Sequence, residues 1–385
     1  MSGNVEVVVV GGGYGGVTAA NRLARRDGVS VTLVNPRPEF VSRIRLHQLV
    51  AGSDDAVEGF GEVLGGNVRL LVDTATRIDA GERRVSLAGG GTVSYDYLVY
   101  AVGSGASDPG VPGAVEFAHS VSDLEGAHRL RMTLDATPAT APVTVVGAGP
   151  TGLETAAELA EAGRRVTLVC GRVLGPSLHA RVRRPVARRL ARLGVTVLEG
   201  PRAQVTEVTQ DAVRLEDGRE MPSAVTIWTA GFRVPDLAAR SGLRTDAEGR
   251  MVTDTTLTSV DDERIVAAGD AGVMPEYPFR MSCQAAVQLG PAAAATILHR
   301  IAGKKPAPVR MFFAGQCLSL GRNEGVTQFS YPNDKVNSLG ISGRTGAGVK
   351  EIACRFTLNK LVSGARRAGS RASRADGKDR LGTPA

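Results

Sequence analysis

Cysteine is scarce and scattered in this sequence. The four cysteines are Cys170, Cys283, Cys317 and Cys354, and none of them forms a Cys-x-x-Cys motif. Disulfide frameworks and zinc sites need sets of closely spaced cysteines, so neither is predicted. We expect Cys317 and Cys354 to be isolated, buried side chains that behave as small hydrophobes.

Long apolar runs are also missing. No run reaches the roughly 18 residues that a membrane-spanning helix needs. No signal peptide precedes the first predicted strand, Val5–Val10, so we expect a cytoplasmic location. With 43% hydrophobic and 22% charged residues among 385, the composition is that of a folded protein with two or three cores.

The charge is uneven, with a net value of +7. Six basic residues stand against Asp376 and Asp379 from residue 364 to residue 385, which gives that segment +4. These basic residues are Arg366, Arg367, Arg371, Arg374, Lys378 and Arg380. Such a tail can contact acidic lipid or nucleic acid, or it can simply keep the chain in solution.

Two stretches of the chain resemble each other. Residues 5–37 and 143–172 each read as strand, glycine turn, helix and strand, and each carries the spacing G-x-G-x-x-G. The first glycine allows a tight turn, the second lets the backbone approach a pyrophosphate, and the third lets the helix pack on the strand. The phosphates then lie at a helix N-terminus, which favours anions. The glycines are Gly11, Gly13 and Gly16, then Gly147, Gly149 and Gly152. Two nucleotides are therefore predicted.

Three further segments read as short strands that end in small residues. They are YDYLVYAVGS (95–104), AVTIWTAGF (224–232) and RIVAAGDAG (264–272). In the last of these, Asp270 follows Gly269 at a strand end. A carboxylate in that position can bind a polyol hydroxyl, or it can cap a helix.

In this order the motifs resemble the two-dinucleotide-binding-domain flavoproteins, the pyridine nucleotide–disulfide oxidoreductase-like family, over roughly residues 5–300. The resemblance implies an α/β fold with two Rossmann-like dinucleotide-binding domains, the NAD(P)H domain inserted in the FAD domain, plus a small α+β C-terminal region. The implied limits are 1–112 and 236–300 for the FAD domain, 113–235 for the NAD(P)H domain, and 301–385 for the C-terminal region with its basic tail.

The resemblance also implies where the two cofactors bind. FAD lies at the first glycine turn and NAD(P)H at the second, and Asp270 contacts the ribityl chain of FAD. The expected cofactor-binding residues are Gly11, Gly13, Tyr14, Gly15, Gly16, Asn35, Arg37, Arg43, Ala101, Gly103, Gly147, Gly149, Gly152, Arg172, Gly231, Gly269, Asp270 and Gln284.

Two features of the sequence near these motifs indicate the branch of the family. Residues 38–60 contain no cysteine, so a thiolate relay is not expected there. The segment RMSCQAAVQLG (280–290) resembles the A-Q-x-A-x-Q stretch of type II NADH dehydrogenases, which reduce quinones. Gln284 and Gln288 match its glutamines and share a helix face. Alternatively, this helix packs on FAD without any role towards a quinone.

Two further residues are candidates for catalysis. Glu154 matches the glutamate that this branch places near the nicotinamide and the flavin, although a first-turn glutamate also suits the helix dipole. Lys350, in GAGVKE, is expected to be a proton or charge partner of the acceptor.

Two positions depart from the family pattern. The carboxylates that bind ribose hydroxyls are replaced by Asn35 and Cys170. Asn35 can still accept a hydrogen bond. The replacement at Cys170, together with the guanidinium of Arg172, favours NADPH or weakens its exclusion, unless Arg172 is only a surface residue.

The last part of the chain is predicted to hold strands over 309–348 and a helix over 349–367. The helix has apolar residues among basic ones, at Val349, Ile352, Ala353, Phe356, Leu358, Leu361 and Val362. It could dock on the inner face of the cell membrane, or pack on strands of its own domain.

The sequence thus predicts an oxidoreductase that transfers hydride from NAD(P)H through FAD to a quinone-type acceptor. Two alternatives stay open: a biosynthetic flavin oxidoreductase or oxidase acting on a small organic substrate, and a redox-sensing partner protein. No nucleic-acid partner is expected, and a homodimer is left open.

Overall fold

The computed structural model describes residues 4–379 of the chain, with side chains up to residue 369. Of the basic tail, Arg380 lies outside the described residues, as do the side chains of Arg371, Arg374 and Lys378. No helix in the described part of the chain is long and apolar enough to cross a membrane.

Residues 4–106 form ten strands and three α-helices. The strands are β1 (Val5–Val10), β2 (Val29–Asn35), β3 (Glu39–Val41), β4 (Val57–Gly59), β5 (Val68–Val72), β6 (Ala75–Asp79), β7 (Arg84–Leu87), β8 (Thr92–Ser94), β9 (Tyr97–Tyr100) and β10 (Gly105–Ala106). The helices are α1 (Tyr14–Leu23), α2 (Leu46–Ala51) and α3 (Phe60–Val63).

The middle of the chain repeats this alternation. Its strands are β11 (Ala118–Ser120), β12 (Pro142–Val146), β13 (Arg165–Val169), β14 (Thr196–Leu198), β15 (Val205–Val208), β16 (Ala212–Leu215), β17 (Glu220–Pro222), β18 (Val225–Trp228) and β19 (Phe232–Arg233). Its helices are α4 (Ala114–Phe117), α5 (Leu124–Ala136), α6 (Pro150–Glu161), α7 (Ala180–Arg192) and α8 (Leu237–Arg240).

The remaining strands and helices follow. The strands are β20 (Met251–Val252), β21 (Ile265–Ala267), β22 (Gly272–Val273), β23 (Gly315–Ser319), β24 (Gly325–Ser330) and β25 (Val336–Gly343). The helices are α9 (Cys283–Ile301) and α10 (Arg344–Asp379).

Two five-stranded parallel sheets organise the molecule. One has the strand order β21-β9-β1-β2-β5, and the other has the order β11-β18-β12-β13-β14. Strand β1 is almost wholly apolar, with Val7 and Val9 buried beneath α1 and α9, and Val8 and Val10 in the core on the other face. Such apolar runs are typical of parallel strands covered on both faces. The predicted α/β class with two Rossmann-like sheets is confirmed.

The strand β21 explains the order of the first sheet. It comprises residues 265–267, which follow every strand of the second sheet along the chain. It nevertheless pairs in parallel with β9 of the first sheet. The antiparallel pair β10 and β19 joins the chain as it leaves the first sheet to the chain as it returns. The residue limits assigned to the domains stay predictions.

The C-terminal region is a three-stranded antiparallel sheet, β23-β24-β25, followed by α10. The helix begins at Arg344 and not at Val349, so its predicted start is wrong. The two early glycines argue against a helix from sequence alone. A Cβ at Gly346 would lie 2.3 Å from the carbonyl oxygen of Gly325, so the close approach of this helix to β24 requires glycine there.

Helix α10 presents two faces. Leu361 and Ala368 are fully buried in the core beneath α1 and α3, as expected of a helix that packs on its own domain. Ile352 and Phe356, four residues apart, are each 68% exposed.

Candidate active site

The first glycine turn joins β1 to α1. Gly11 has φ +105°, and a Cβ there would lie 2.3 Å from the carbonyl oxygen of Ala101. A Cβ at Gly16 would lie 1.8 Å from the Gly11 oxygen, so helix and turn are in direct contact. A Cβ at Gly13 would meet nothing within 4 Å, and no side chain caps the helix there. The open space before these N–H groups fits a pyrophosphate.

Polar side chains surround this turn. The Asn35 Oδ1 accepts a hydrogen bond from the Gly12 N–H (2.8 Å), and its Nδ2 donates to the Arg37 carbonyl (2.9 Å). One lone pair of Oδ1 remains for a ribose hydroxyl. The Arg37 guanidinium forms an ion pair with Glu125. Tyr14 is buried, and its hydroxyl lies 3.1 Å from Ser42 Oγ.

The Asp270 carboxylate lies near the start of α9. It accepts hydrogen bonds from Ser104 Oγ (2.7 Å) and from the Ser282 N–H (2.9 Å). Arg43 donates to the same Ser104 hydroxyl (3.2 Å). The N-cap of α9 is Ser282, which accepts from the Ala285 N–H. Asp270 is therefore not the N-cap of this helix. Its carboxylate lies at a strand end, where it could accept hydrogen bonds from the hydroxyls of a polyol.

The first cradle is the space around the glycine turn at residues 11–16. Its other predicted residues lie close by. A Cβ at Gly15 would approach the Gly269 nitrogen to 3.3 Å, and Gly103 adopts φ +73° near the Arg43 guanidinium.

The second glycine turn, between β12 and α6, repeats the geometry of the first. Gly147 has φ +109°, and a Cβ at Gly152 would lie 1.8 Å from the Gly147 oxygen. A Cβ at Gly149 would again meet nothing within 4 Å. Gly231, with φ +84°, follows the neighbouring strand β18. The second cradle, the space around the glycine turn at residues 147–152, therefore fits a second dinucleotide.

The far end of this second cradle holds a carboxylate that the sequence did not suggest. Burial, with the nearby Glu199 carboxylate, raises the pKa of Cys170 to about 12, so this thiol is neutral. Glu199 follows β14, and its Oε2 accepts a hydrogen bond from the Leu174 N–H (2.7 Å). Arg172 is exposed. The guanidinium of Arg172 and the carboxylate of Glu199 thus both lie near Cys170, the position predicted to determine the preference for NADH or NADPH.

A buried polar cluster lies where α6 meets the C-terminal region. The Nζ of Lys350 lies 2.8 Å from the Oε1 of Glu154, with 11% and 7% of these side chains exposed. The same Oε1 accepts a hydrogen bond from the Ser319 N–H (2.9 Å). The His47 ring lies 3.0 Å from Ser319 Oγ and 3.8 Å from the second Glu154 oxygen. The structure therefore brings two of the four predicted catalytic residues, Glu154 and Lys350, into direct contact.

The charges in this cluster are set by its contacts. Burial would raise the pKa of Glu154, but Lys350, His47 and the Ser319 N–H hold it below the usual value. Burial would lower the pKa of Lys350, but Glu154 raises it. Burial lowers the pKa of His47 to about 4, against the attraction of Glu154. The cluster is a carboxylate and an ammonium beside a neutral imidazole at neutral pH.

Sequence reasoning missed His47 and Ser319. His47 lies in RIRLHQL (43–49), a segment in which only Arg43 is predicted to bind a cofactor. Its signal was a histidine among apolar residues, which more often marks a core position than a site.

The amides of the two predicted glutamines bind the chain that leads into β23. Gln288 donates to the carbonyls of Gln284 and Phe312 (both 2.9 Å) and accepts from the Phe312 N–H (3.0 Å). The Gln284 amide donates to the Gly315 carbonyl (3.0 Å) and accepts from the Ala314 N–H (2.9 Å). A substrate that accepted a hydrogen bond from Gln288 would have to displace one of these contacts, whereas Gln284 has a second N–H beyond the one that binds Gly315.

The charge of Lys350 influences the pKa of three cysteines. Burial raises the pKa of Cys283 to about 11 and also raises that of Cys317 and Cys354, while the Lys350 ammonium opposes each shift. Cys354 is buried, as expected, but the expectation of burial is wrong for Cys317, which is only partly buried. All four cysteines are free thiols.

Residues 5–290 match the family described as pyridine nucleotide-disulphide oxidoreductase. The chain belongs to this family. It is 31% identical to the NADH dehydrogenase-like protein Rv1812c of Mycobacterium tuberculosis (strain ATCC 25618 / H37Rv), over 88% of this chain and 91% of that protein. It is 30% identical to the type II NADH:quinone oxidoreductase Ndh of the same strain, over 84% and 79%.

Solved structures share the fold of this oxidoreductase. The structure of NDH2 from Plasmodium falciparum in complex with NADH superposes with a TM-score of 0.79 at 16% identity, over 96% of this chain and 98% of that one. The two cradles are consistent with the expected cofactors, FAD and NADH.

Proposed function

We propose that this oxidoreductase transfers hydride from NAD(P)H by way of FAD to a quinone, without a cysteine relay. The observation that carries the proposal is the buried contact between Lys350 and Glu154. It places a charged pair at the junction of α6, which follows the second glycine turn, and α10. Family membership and the relatives named as NADH:quinone oxidoreductases support the acceptor.

The residues of the chain have separable tasks in this proposal. The open turn at Gly13 would hold the FAD pyrophosphate and Asp270 would hold the ribityl hydroxyls, while the turn at Gly149 would hold the pyridine nucleotide. Bound FAD supplies the chemistry of accepting a hydride and passing electrons on. The chain fixes the positions of the reactants, and near-contact geometry of this kind contributes several kcal/mol to a rate.

Lys350 and Glu154 would act on the acceptor. A buried ammonium stabilises negative charge that develops on a quinone oxygen, and a site that excludes water strengthens that effect. Glu154 holds this ammonium in its charged state, since its carboxylate raises the pKa of Lys350. Ser319 and His47 fix the carboxylate in turn, through a 2.9 Å hydrogen bond and a 3.8 Å contact.

The absence of a relay rests on the state of the thiols. A thiolate is the form that attacks and exchanges disulfides. Burial raises the pKa of Cys283, the cysteine at the start of α9, to about 11, so its sulfur is a neutral thiol at neutral pH. An acceptor would then have to react with the reduced cofactor directly.

A second candidate is an oxidase or oxidoreductase that acts on a small organic substrate. The contacts of the Gln288 amide favour it, because both of its N–H groups are already engaged at a position predicted to bind a quinone carbonyl.

We also infer a peripheral membrane contact through α10. Ile352 and Phe356 expose apolar surface beside Arg355, a combination that suits a lipid interface. Flotation with anionic vesicles checks this: binding that persists in the Ile352→Ser, Phe356→Ser double variant would contradict it.

Steady-state turnover separates the two candidate functions. The protein, reconstituted with FAD, should oxidise NADH faster with duroquinone under argon than with oxygen alone. Equal rates would favour the second candidate, an oxidase that acts on a small organic substrate.

A further inference from the structure

A water-accessible cleft reaches Lys350, one member of the buried pair, from outside. It has a volume of about 230 Å³ and lies between α2, the turn after β23 and the first turns of α10. Among its lining residues are Gln48, Ser319, Arg322, Arg344, Gly348 and Lys350. A water molecule takes about 30 Å³ in the liquid, so the cleft has room for several.

The proposed reaction needs such a path. Reduction of a quinone follows NADH + H⁺ + Q → NAD⁺ + QH₂. The hydride brings two electrons and one proton, so one more proton must come from water in each turnover. Lys350 and Glu154 are 11% and 7% exposed, and Lys350 is a lining residue of the cleft.

A row of carboxylates runs along α6 towards the same cleft. Glu154, Glu158 and Glu161 are spaced four and three residues apart, so they share one helix face. Glu158 is 2% exposed, and its Oε1 lies 3.3 Å from Arg322, which lines the cleft. Glu161 is 25% exposed and pairs with Arg189. The row therefore leads from the buried pair to the surface.

We propose that this cleft carries protons from water to Lys350 and Glu154 during reduction of the acceptor, with Glu158, which contacts the lining residue Arg322, as the proton-holding group beside it. This inference rests on the proposed function. Glu158 is a positioning residue in this account, because it acts on the acceptor only through the buried pair.

The electrostatics around Glu158 agree with the task. Burial raises the pKa of Glu158 to about 7, while Arg322 lowers it and the carboxylates of Glu161 and Glu154 raise it further. A group that titrates near the working pH takes up and releases protons most efficiently.

Gly348 offers a matched pair of variants. It lines the cleft, and a Cβ there would meet nothing within 4 Å. Gly348→Leu should narrow the cleft, whereas Gly348→Ala should leave it open. Neither change touches Glu154 or Lys350 directly, and both replace a helical glycine.

The first experiment follows enzyme that NADH has reduced, mixed anaerobically with duroquinone in the presence of a pH-indicator dye. Reduction by NADH should be alike in both variants. Reoxidation and proton uptake should be about tenfold or more slower in Gly348→Leu than in Gly348→Ala. Equal proton uptake in the two variants would overturn the path.

Ferricyanide keeps this test separate from the proposed function. It removes electrons without taking protons, so its reaction releases protons from the site to water. In Gly348→Leu this release should lag behind electron transfer, and it should not lag in Gly348→Ala. If wild type reacted with ferricyanide but not with duroquinone, the quinone function would fail, yet the lag would still decide whether the cleft conducts protons.

A thermal measurement tests Glu158 without turnover. A folded-state pKa above the unfolded value of 4.5 means that wild type loses stability as pH rises from about 4.5 to about 7. Glu158→Gln should lack this loss, so the difference in Tm between variant and wild type should grow over that interval. Its duroquinone step should also lose its pH dependence near 7, and Glu158→Asp should restore it. A constant Tm difference would overturn the role of Glu158.

Discussion

The Lys350 ammonium and the Glu154 carboxylate meet at 2.8 Å in the protein interior, although they come from the last helix and from the helix after the second glycine turn. Neither charge is stable there alone, because each is withdrawn from water. The pair therefore ties the C-terminal region to the second sheet, and removal of one partner should cost more than removal of both.

A double-mutant cycle tests this coupling. Lys350→Met should lower the free energy of unfolding at pH 8 by about 3–5 kcal/mol, since it leaves a buried carboxylate unpaired. The loss should shrink towards pH 5, where Glu154 can take up a proton. The Glu154→Gln, Lys350→Met double variant should recover most of the stability, as denaturant unfolding would show.

The exposed Lys305→Met variant serves as the control for loss of a lysine. If Lys350→Met were as stable as this control at pH 8, the buried pair would not exist in solution.

The two glycine turns predict opposite losses from equivalent substitutions. Gly13 and Gly149 both have extended backbone angles that valine can adopt, and both face open space. Gly13→Val should purify without FAD, because its side chain occupies the pyrophosphate position. Gly149→Val should keep FAD but should no longer be reduced by NADH. Absorbance at 450 nm, before and after NADH is added anaerobically, measures both.

Retention of full flavin by Gly13→Val would refute the assignment of the first turn. Normal reduction of Gly149→Val would refute that of the second.

Acid sensitivity should come partly from His47. Its folded pKa of about 4 lies below the ordinary 6.5, so the unfolded chain binds more protons between these values. Stability from this site is complete above about pH 6.5 and is lost as pH falls towards 4, by up to about 3 kcal/mol. His47→Asn should flatten this part of the stability curve, measured by urea unfolding at several pH values.

The exposed His128 provides the matched substitution, His128→Asn, which should leave the curve as in wild type. A curve for His47→Asn that falls as steeply as that of wild type would contradict the burial of a neutral imidazole.

The preference for NADH or NADPH should depend on the opposite charges of Arg172 and Glu199. We predict that NADPH is accepted at least as well as NADH, because Cys170 is uncharged. Arg172→Ala should lower kcat/KM for NADPH by about tenfold, the value of one charge-assisted hydrogen bond, and leave NADH unchanged. Glu199→Gln should raise kcat/KM for NADPH by removing a negative charge.

A strong preference for NADH that neither substitution alters would refute this prediction. The choice would then be made elsewhere in the cradle.

The sequence predicts the parts of the fold that are local. Each glycine triplet constrains a strand, a turn and a helix within some thirty residues, so both cradles could be found without coordinates. The strand β21 and Asp270 were also recognisable, because a glycine–aspartate pair ends an apolar run. In each case the signal and the structure it specifies are neighbours along the chain.

The sequence does not predict contacts between distant elements. His47 and Ser319 join Glu154 only because α2 and β23 pack beside α6. Glu199 approaches Cys170 only because β14 pairs with β13. The start of α10 was missed for the same reason, since the close contact of Gly346 with β24 outweighs the poor helix propensity of glycine.

Anaerobic double mixing follows the two half-reactions of the proposed oxidoreductase separately. The FAD-loaded protein is first reduced with one equivalent of NADH, and the reduced enzyme is then mixed with duroquinone or with oxygen at the same concentration. We expect complete reduction in the first step, and reoxidation by the quinone at least about tenfold faster than by oxygen, the difference that about 1.4 kcal/mol of barrier makes. Reoxidation by oxygen as fast as by quinone, or no reaction with quinone, would contradict this expectation.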